Sequence, residues 1–289
     1  MKKKELREYL KYYHQYVDNN PKWREWYLNV APLKAERTIK ILKKYKKGNA
    51  RLLDCGCGIG ISLYYLSKYY KNSYGVETDK ENFEIAKNQF RKLKCKAKVS
   101  LYDGKKLPFP ENHFDLVTSM EVWEHARDPQ LMLKEINRVL KPDGILHITT
   151  ANKFWPIEPH YKLPFLSYLP SSLADIYVKI AKRANFYHDI NLPSYGEFKK
   201  SVSQYFKVSD ITLEMIIAYK ELDFDKERGS MIIVMSKFLK FLKSLEKIPL
   251  LSFFSKFNYQ ILIRISLGWL FIAYPKIKKN NQEDVIKAI

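Results

Sequence analysis

Apolar residues fall at helical spacing through the first fifty positions, and the period then changes. Trp23, Trp26, Tyr27 and Val30 share one face, Pro21 after Asn19-Asn20 marks a helix start, and Ile39, Leu42 and Tyr45 continue until Lys47-Gly48, so residues 2–47 are predicted to be helical. From Arg51 onward, short apolar runs alternate with amphipathic stretches. Strands are predicted at Arg51–Cys55, Ser73–Glu77, Ala97–Leu101, Phe114–Met120 and Ile145–Thr150, with helices at Ile61–Tyr70, Lys80–Arg91 and Pro129–Leu140. The last helix starts at a capping Asp128 with Pro129 in its first turn, and Lys141-Pro142-Asp143-Gly144 reads as a turn after it. Apolar strands joined through helices imply an α/β fold with a doubly wound, mostly parallel sheet.

After Thr150 the alternation stops. Residues 152–195 are rich in proline and aromatic side chains and read as an insertion above the sheet; regular elements resume near Tyr195. A strand is expected at about Phe206–Glu214, an amphipathic helix over 231–265 and a final strand at Gly268–Tyr274. Four units follow: an N-terminal helical cap (1–47), a core (48–151), a substrate-side insertion (152–205), and the end of the sheet with its amphipathic helical insert (206–289).

Composition narrows the class. With 46% hydrophobic and 28% charged residues, the chain belongs among globular proteins. Three cysteines, two of them flanking Gly56, exclude a disulfide-stapled secreted scaffold and suggest a reducing, cytoplasmic setting. Met1–Glu5 is basic but leads into a charged, Tyr-rich stretch, so no signal peptide is expected. The net charge is +20, and it is concentrated at the ends: +9 in residues 1–50 and +7 in 231–289, against +3 and +1 in 51–150 and 151–230. Nucleic acid and an anionic membrane both suit that distribution, as does plain Lys enrichment with no partner at all.

The sequence Asp54-Cys55-Gly56-Cys57-Gly58-Ile59-Gly60 ends a predicted strand and opens a helix, where glycines let a ligand approach the backbone. A dinucleotide loop wants a further glycine where Ile61 stands, and Asp54 would repel a pyrophosphate. A ligand carrying an ammonium would be attracted, so the loop favours an amino-acid-bearing nucleotide over NAD. Glu77 ends the second strand, where a carboxylate accepts both hydroxyls of a ribose, and Asp103 follows the third, within reach of an adenine amino group. Each acid alone is an ordinary turn or helix cap; three at successive strand ends converge on one crevice.

These motifs, together with Gly75-Val76-Glu77, the run Leu107 to Asp115 and Leu140-Lys141-Pro142-Asp143-Gly144, resemble the class I S-adenosylmethionine-dependent methyltransferases, and within them the type 11 group. The resemblance covers about residues 48–151. It implies S-adenosylmethionine as cofactor, held by Asp54, Gly56, Gly58, Gly60, Glu77, Asp103 and Met120. It further implies a Rossmann-like sheet of seven strands, the last antiparallel, which Phe206–Glu214 and Gly268–Tyr274 would complete. No metal site is expected.

Methyl transfer needs alignment more than acid–base chemistry, and a base only where the acceptor must lose a proton. Candidate catalytic residues are Glu121 and His125, just after the fourth strand, and His160 in the insertion, which with Glu158 is placed to bind or deprotonate a hydroxyl. His188 is a weaker candidate. Trp155, Phe165 and Tyr168 either wall an apolar or sugar-stacking pocket or pack the insertion itself. In Ile248–Lys276 the apolar runs are interrupted by Lys256 and Arg264, so none reaches the length of a bilayer span, which leaves an interfacial helix or core packing. The expected acceptor is small, lipid-linked or glycan-like, with peripheral contact to an anionic membrane. An RNA or protein methyltransferase, or a silent cofactor-binding protein at a membrane, are the alternatives; the Asn-Pro-Pro-Tyr type of motif of nucleic-acid amino methylation is replaced by Met120-Glu121-Val122-Trp123.

Overall fold

The computed structural model describes residues 21–187 and 190–276. Its elements run α1 (Pro21–Leu42), β1 (Arg51–Cys55), α2 (Ile61–Tyr69), β2 (Asn72–Glu77), α3 (Lys80–Lys92), β3 (Lys98–Leu101), β4 (Phe114–Met120), a 3-10 turn (Trp123–His125), α4 (Pro129–Val139) and β5 (Leu140–Ala151). They continue with a 3-10 turn (Leu166–Tyr168), α5 (Ser171–Ile180), α6 (Tyr195–Ser203), β6 (Phe206–Asp210), α7 (Thr212–Ile217), α8 (Phe224–Arg228), α9 (Ser230–Leu245), α10 (Pro249–Arg264) and β7 (Gly268–Pro275). The strands form one sheet in the order β3-β2-β1-β4-β5-β7-β6. β1 to β5 are parallel, and β7 lies antiparallel between β5 and β6.

Two-residue alternation in buried strands creates two apolar layers. Leu53, Val117, Leu146, Ile148 and Phe271 enter the layer shared with Ile136 of α4 and Phe198 of α6. Their neighbours Leu52, Leu116, Ile145, Leu270 and Ile272 enter the opposite layer, with Leu42 of α1, Leu63 and Leu66 of α2 and Phe90 of α3. Local signals fix the helix starts: Asp79 accepts from the Asn82 N–H (2.8 Å), Asp128 from the Leu131 N–H (2.9 Å), and Ser194 with Glu197 forms a capping box.

Four expectations need correction. The N-terminal helix ends at Leu42, short of Lys47, and its predicted residues 2–20 lie outside the described residues, as does His188. The expected strand over 206–214 stops at Asp210, because the Asp210 carboxylate accepts from the Thr212 N–H (3.0 Å) and turns the chain into α7. The expected helix over 231–265 is two helices, with Pro249 in the first turn of the second. Lys141–Gly144 is an irregularity inside β5: Phe114 pairs with Leu140 and Leu116 with Ile145, so the loop bulges between two paired positions.

Candidate functional site

The carboxyl ends of β1, β2 and β4 open toward the glycine loop. Gly56, Gly58 and Gly60 all have positive φ (76°, 52° and 85°), a backbone that side chains rarely adopt. The loop is tied down where the N–H groups of Gly56 and Cys57 donate to Val76 O (3.0 Å each). A side chain at Gly56 would meet Val122 at 2.6 Å, whereas none of the described residues lies within 4 Å of the same position on Gly58. Gly56 is therefore required by packing and Gly58 faces open space, the side from which a ligand can approach.

Asp54 is buried on β1 and accepts from Thr118 Oγ1 of β4 (2.7 Å). Burial pushes its pKa up to about 7, the Thr118 hydrogen bond opposes this, and the Glu77 charge adds to it. Glu77, also buried, accepts from the backbone N–H of Gly58 (2.7 Å), Thr78 (2.8 Å) and Asp79 (2.9 Å), so one carboxylate braces the glycine loop against the start of α3. Asp103 is exposed and accepts from the N–H groups of Lys105 (2.9 Å) and Lys106 (3.3 Å), contacts that hold its pKa below the usual carboxylate range. Met120 packs against the layer shared with α1, its Sδ 3.5 Å from Thr38 Oγ1.

This set suits the cofactor that the motifs imply. A buried carboxylate that resists ionisation gains most from a cationic ammonium, the loop offers backbone and open space, and the Glu77 oxygens keep lone pairs for ribose hydroxyls.

A second cluster gathers beyond β4. Glu121 has φ 57°, a strained position for a non-glycine residue at a strand end, and receives Lys34 Nζ of α1 at 2.8 and 3.1 Å. The Trp123–His125 turn is anchored by the Trp123 indole donating to Ser201 Oγ (3.1 Å) and by the Asn191 N–H donating to Glu124 O (2.8 Å). That anchoring buries Glu124: its Oε2 accepts from Thr150 Oγ1 (2.9 Å), its Oε1 has no hydrogen-bond partner among the described residues, and burial raises its pKa to about 7. His125, on the same turn, is exposed, and its ring lies 5.0 Å from that of His160 in edge contact.

His160 is positioned by the insertion. An Ile157–Pro164 bridge and the Phe165 N–H to Pro156 O bond (2.6 Å) close a tight loop around a fully buried Glu158. The Glu158 carboxylate accepts from the backbone N–H of His160 (2.8 Å) and Tyr161 (2.5 Å) and from His160 Nδ1 (2.6 Å). Burial lowers the His160 pKa, but the Glu158 hydrogen bond and the charges of Glu158, Glu124 and Glu121 outweigh it and leave the pKa raised.

The candidates thus fall into two groups: Asp54, Gly56, Gly58, Gly60 and Glu77 around the loop, and His125 and His160 together beyond β4. Asp103 stands on an exposed turn, and Glu121 is tied to α1. Phe165 and Tyr168 are exposed rather than packed in the insertion's core, and their rings touch each other. Glu124 and Lys34 were not expected. Glu124 carries one sequence signal, a carboxylate between Trp123 and His125; Lys34 carries none, because its partner lies 87 positions away.

A family model described as a methyltransferase domain matches residues 53–148. A ubiquinone biosynthesis O-methyltransferase of Pelagibacter ubique is 31% identical over 160 residues, 52% of this chain and 65% of that protein. An uncharacterized methyltransferase of Schizosaccharomyces pombe is 36% identical over 110 residues, 35% of this chain and 40% of that one. The chain thus spans less than two thirds of the length of these curated relatives. Among solved structures, the PH0226 protein of Pyrococcus horikoshii aligns over 93% of this chain and 99% of its own (15% identity, TM-score 0.52). The 4+2-cyclase SpnF aligns over 91% and 88% (19% identity, TM-score 0.51). Those two likenesses show a shared architecture and nothing about the reaction.

Proposed function

We propose that this chain, whose residues 53–148 match a methyltransferase-domain model, is a class I S-adenosylmethionine-dependent enzyme that methylates a hydroxyl oxygen of a small acceptor held between the glycine loop and the insertion. The observation that carries this is the pair formed by buried Glu158 and half-buried His160, 2.6 Å apart, with the His160 ring against His125 beyond β4. An amine is already nucleophilic, whereas a hydroxyl must lose a proton, and a His–carboxylate pair is suited to that need. The O-methyltransferase relatives lend support.

S-adenosylmethionine supplies an electrophilic methyl on a sulfonium, already a good leaving group. The chain's part is to bind and align. Asp54 attracts the ammonium, Gly58 lets the ligand reach the backbone, Glu77 accepts from the ribose, and Asp103 takes the adenine amino group. Met120 lines the floor, and Lys34 holds α1 against Glu121 at the rim. His160, backed by Glu158, meets the acceptor hydroxyl and takes charge of its proton.

With methyl-labelled cofactor and a panel of phenols, lipid-linked sugars and lipid extracts, label should enter O-methyl ethers. His160→Asn should then lower kcat by ~10²–10⁴-fold, the usual contribution of a positioned proton-transfer group, with S-adenosylhomocysteine affinity unchanged. Label confined to amines, or an unaltered kcat, would refute hydroxyl methylation.

We further infer that the acceptor is lipid-linked and met at an anionic membrane. No helix of the described residues is long and apolar enough to cross a membrane. Even so, Phe241, Phe253, Phe254 and Phe257 on α9 and α10, and Leu173, Ile176 and Ile180 on α5, leave large apolar side chains exposed, Phe253 by 80% and Ile180 by 75%. Lys237, Lys240, Lys243 and Lys256 are interleaved with the α9–α10 residues. The end of α10 is tied to the start of the insertion: Asn152 Nδ2 donates to Arg264 O (2.9 Å) and Ser266 O (2.7 Å). Apolar grip plus screened attraction for acidic headgroups is the physics of an interfacial helix. Co-sedimentation with phosphatidylglycerol vesicles should occur at low salt, weaken as salt rises and be lost in Phe253→Ser/Phe257→Ser. A protein that stays in the supernatant at low salt, or that prefers RNA, argues for a soluble or nucleic-acid acceptor instead.

A further inference from the structure

We propose that Glu124, His125 and His160 hold a divalent transition-metal ion on the acceptor side of the crevice, apart from every residue assigned to the cofactor. One ligand atom from each of the three lies within 4.8 Å of the others. Ligands about 2.0–2.2 Å from such an ion stand roughly 3.3–3.6 Å apart, so closing the site needs shifts of no more than ~1.5 Å. His125, exposed on a short turn, has room to make them.

Two further observations point to a cation. Glu124 is buried, and only one of its oxygens, Oε2, is hydrogen-bonded; Oε1 has no partner among the described residues. A buried carboxylate oxygen without a donor is costly, and a metal ion removes that cost. Second, His160 already has the support that metal-binding histidines use. The Glu158 carboxylate can only accept, so the Nδ1 nitrogen 2.6 Å away carries the proton and Nε2 offers the lone pair. Glu158 is itself fixed by two backbone N–H groups and completely buried, which makes it a rigid orienting group.

Two imidazoles and one carboxylate favour zinc, cobalt, nickel or manganese over magnesium or calcium, which prefer all-oxygen sets. Three protein ligands leave positions open, the pattern of reactive metal sites rather than structural ones. An acceptor with two adjacent oxygens, such as an aromatic or aliphatic vicinal diol, could occupy those positions. With the ion bound, His160 serves as a ligand in place of its role as proton acceptor: the coordinated hydroxyl has a lowered pKa and gives its proton to solvent water, its O–H bond breaking and its electron pair remaining on oxygen. This deepens the hydroxyl-methylation proposal and rests on it for the substrate class, but the metal site itself is testable without cofactor or acceptor.

The test is metal binding by the whole chain, stripped with a chelator and then titrated with Zn²⁺ by calorimetry and with Co²⁺ by visible absorption. One equivalent is expected, with the visible bands of four- or five-coordinate cobalt. His160→Asn and Glu124→Gln should each weaken binding at least tenfold, and Glu158→Gln by ~10–100-fold, as loss of an orienting partner does. His113→Asn, outside the cluster, should change nothing. S-adenosylhomocysteine binding, measured in parallel, shows that each variant is folded; if Glu124→Gln does not fold, His160→Asn and Glu158→Gln decide. Absence of stoichiometric binding, or binding unchanged in those two variants, overturns the metal site. Metal-free chain that still methylates a hydroxyl at full rate also overturns it, while leaving the proposed activity intact.

Discussion

Gly56→Ala should lower the free energy of unfolding by about 2–5 kcal/mol, whereas Gly58→Ala should cost only about 1–2 kcal/mol and instead weaken cofactor binding. Both residues have positive φ, which an alanine adopts at a cost of about 1–2 kcal/mol. The difference lies in what a methyl group meets. At Gly56 it would sit 2.6 Å from both γ-carbons of Val122, a stiff side chain at the start of the anchored Trp123–His125 turn, and overpacking of that kind adds about 1–3 kcal/mol. At Gly58 it would enter open space that the ligand is expected to use. Urea unfolding and S-adenosylhomocysteine calorimetry on the two variants separate the effects. Equal stability losses would mean that the loop is not braced as described.

Asp54→Asn should make the protein more stable at pH 8 while depriving it of most of its affinity for S-adenosylhomocysteine. The folded-state pKa of Asp54 is raised from 3.8 to about 7, so the protonated form is the one that folding favours. A raised pKa contributes stability that is complete below about pH 3.8 and lost as pH rises through about 7. At about 1.36 kcal/mol per pH unit, the span corresponds to roughly 4 kcal/mol as an upper bound on the alkaline side. Asparagine keeps the shape and the acceptor for Thr118 without the charge. The melting temperatures of the variant and the wild type should therefore diverge between pH 5 and 8, with the variant higher. Ligand affinity should show the opposite trend. An ammonium favours the ionised carboxylate, so wild-type affinity should climb with pH up to about 7 and then level, and the variant should lack that rise. A variant less stable at pH 8, or one that binds as tightly as wild type, would place Asp54 in a purely structural role.

Strands β1 to β4 were legible because period and burial coincide there: Arg51–Cys55 and Phe114–Met120 have the expected bounds, and β2, β3 and the helices α2 and α3 each differ by one residue, whereas β5 starts five residues early, at Leu140. Legibility failed where a local hydrogen bond overrides the apolar pattern. One strand was expected to run on to Glu214, yet the Asp210 carboxylate takes the Thr212 N–H and the chain turns into α7. Apolar spacing continues across Ile248, but the backbone turns before Pro249. In the site, the loop and the strand-end acids were readable because ligand chemistry dictates their residue types. Glu124 was missed because a three-residue 3-10 turn, which no periodicity announces, rotates it inward while leaving His125 outside. Lys34 reaches Glu121 only through the docking of α1, a tertiary contact that no spacing encodes.

The central claim is that the glycine loop with Asp54 and Glu77 binds an amino-acid-bearing nucleoside rather than a dinucleotide. Calorimetry with S-adenosylhomocysteine and NAD on wild type and Glu77→Ala tests it most directly. The account predicts saturable binding of S-adenosylhomocysteine, a loss of about 1.5–3 kcal/mol of that affinity in Glu77→Ala with native circular dichroism, and no heat from NAD. NAD binding with no response to S-adenosylhomocysteine would contradict it.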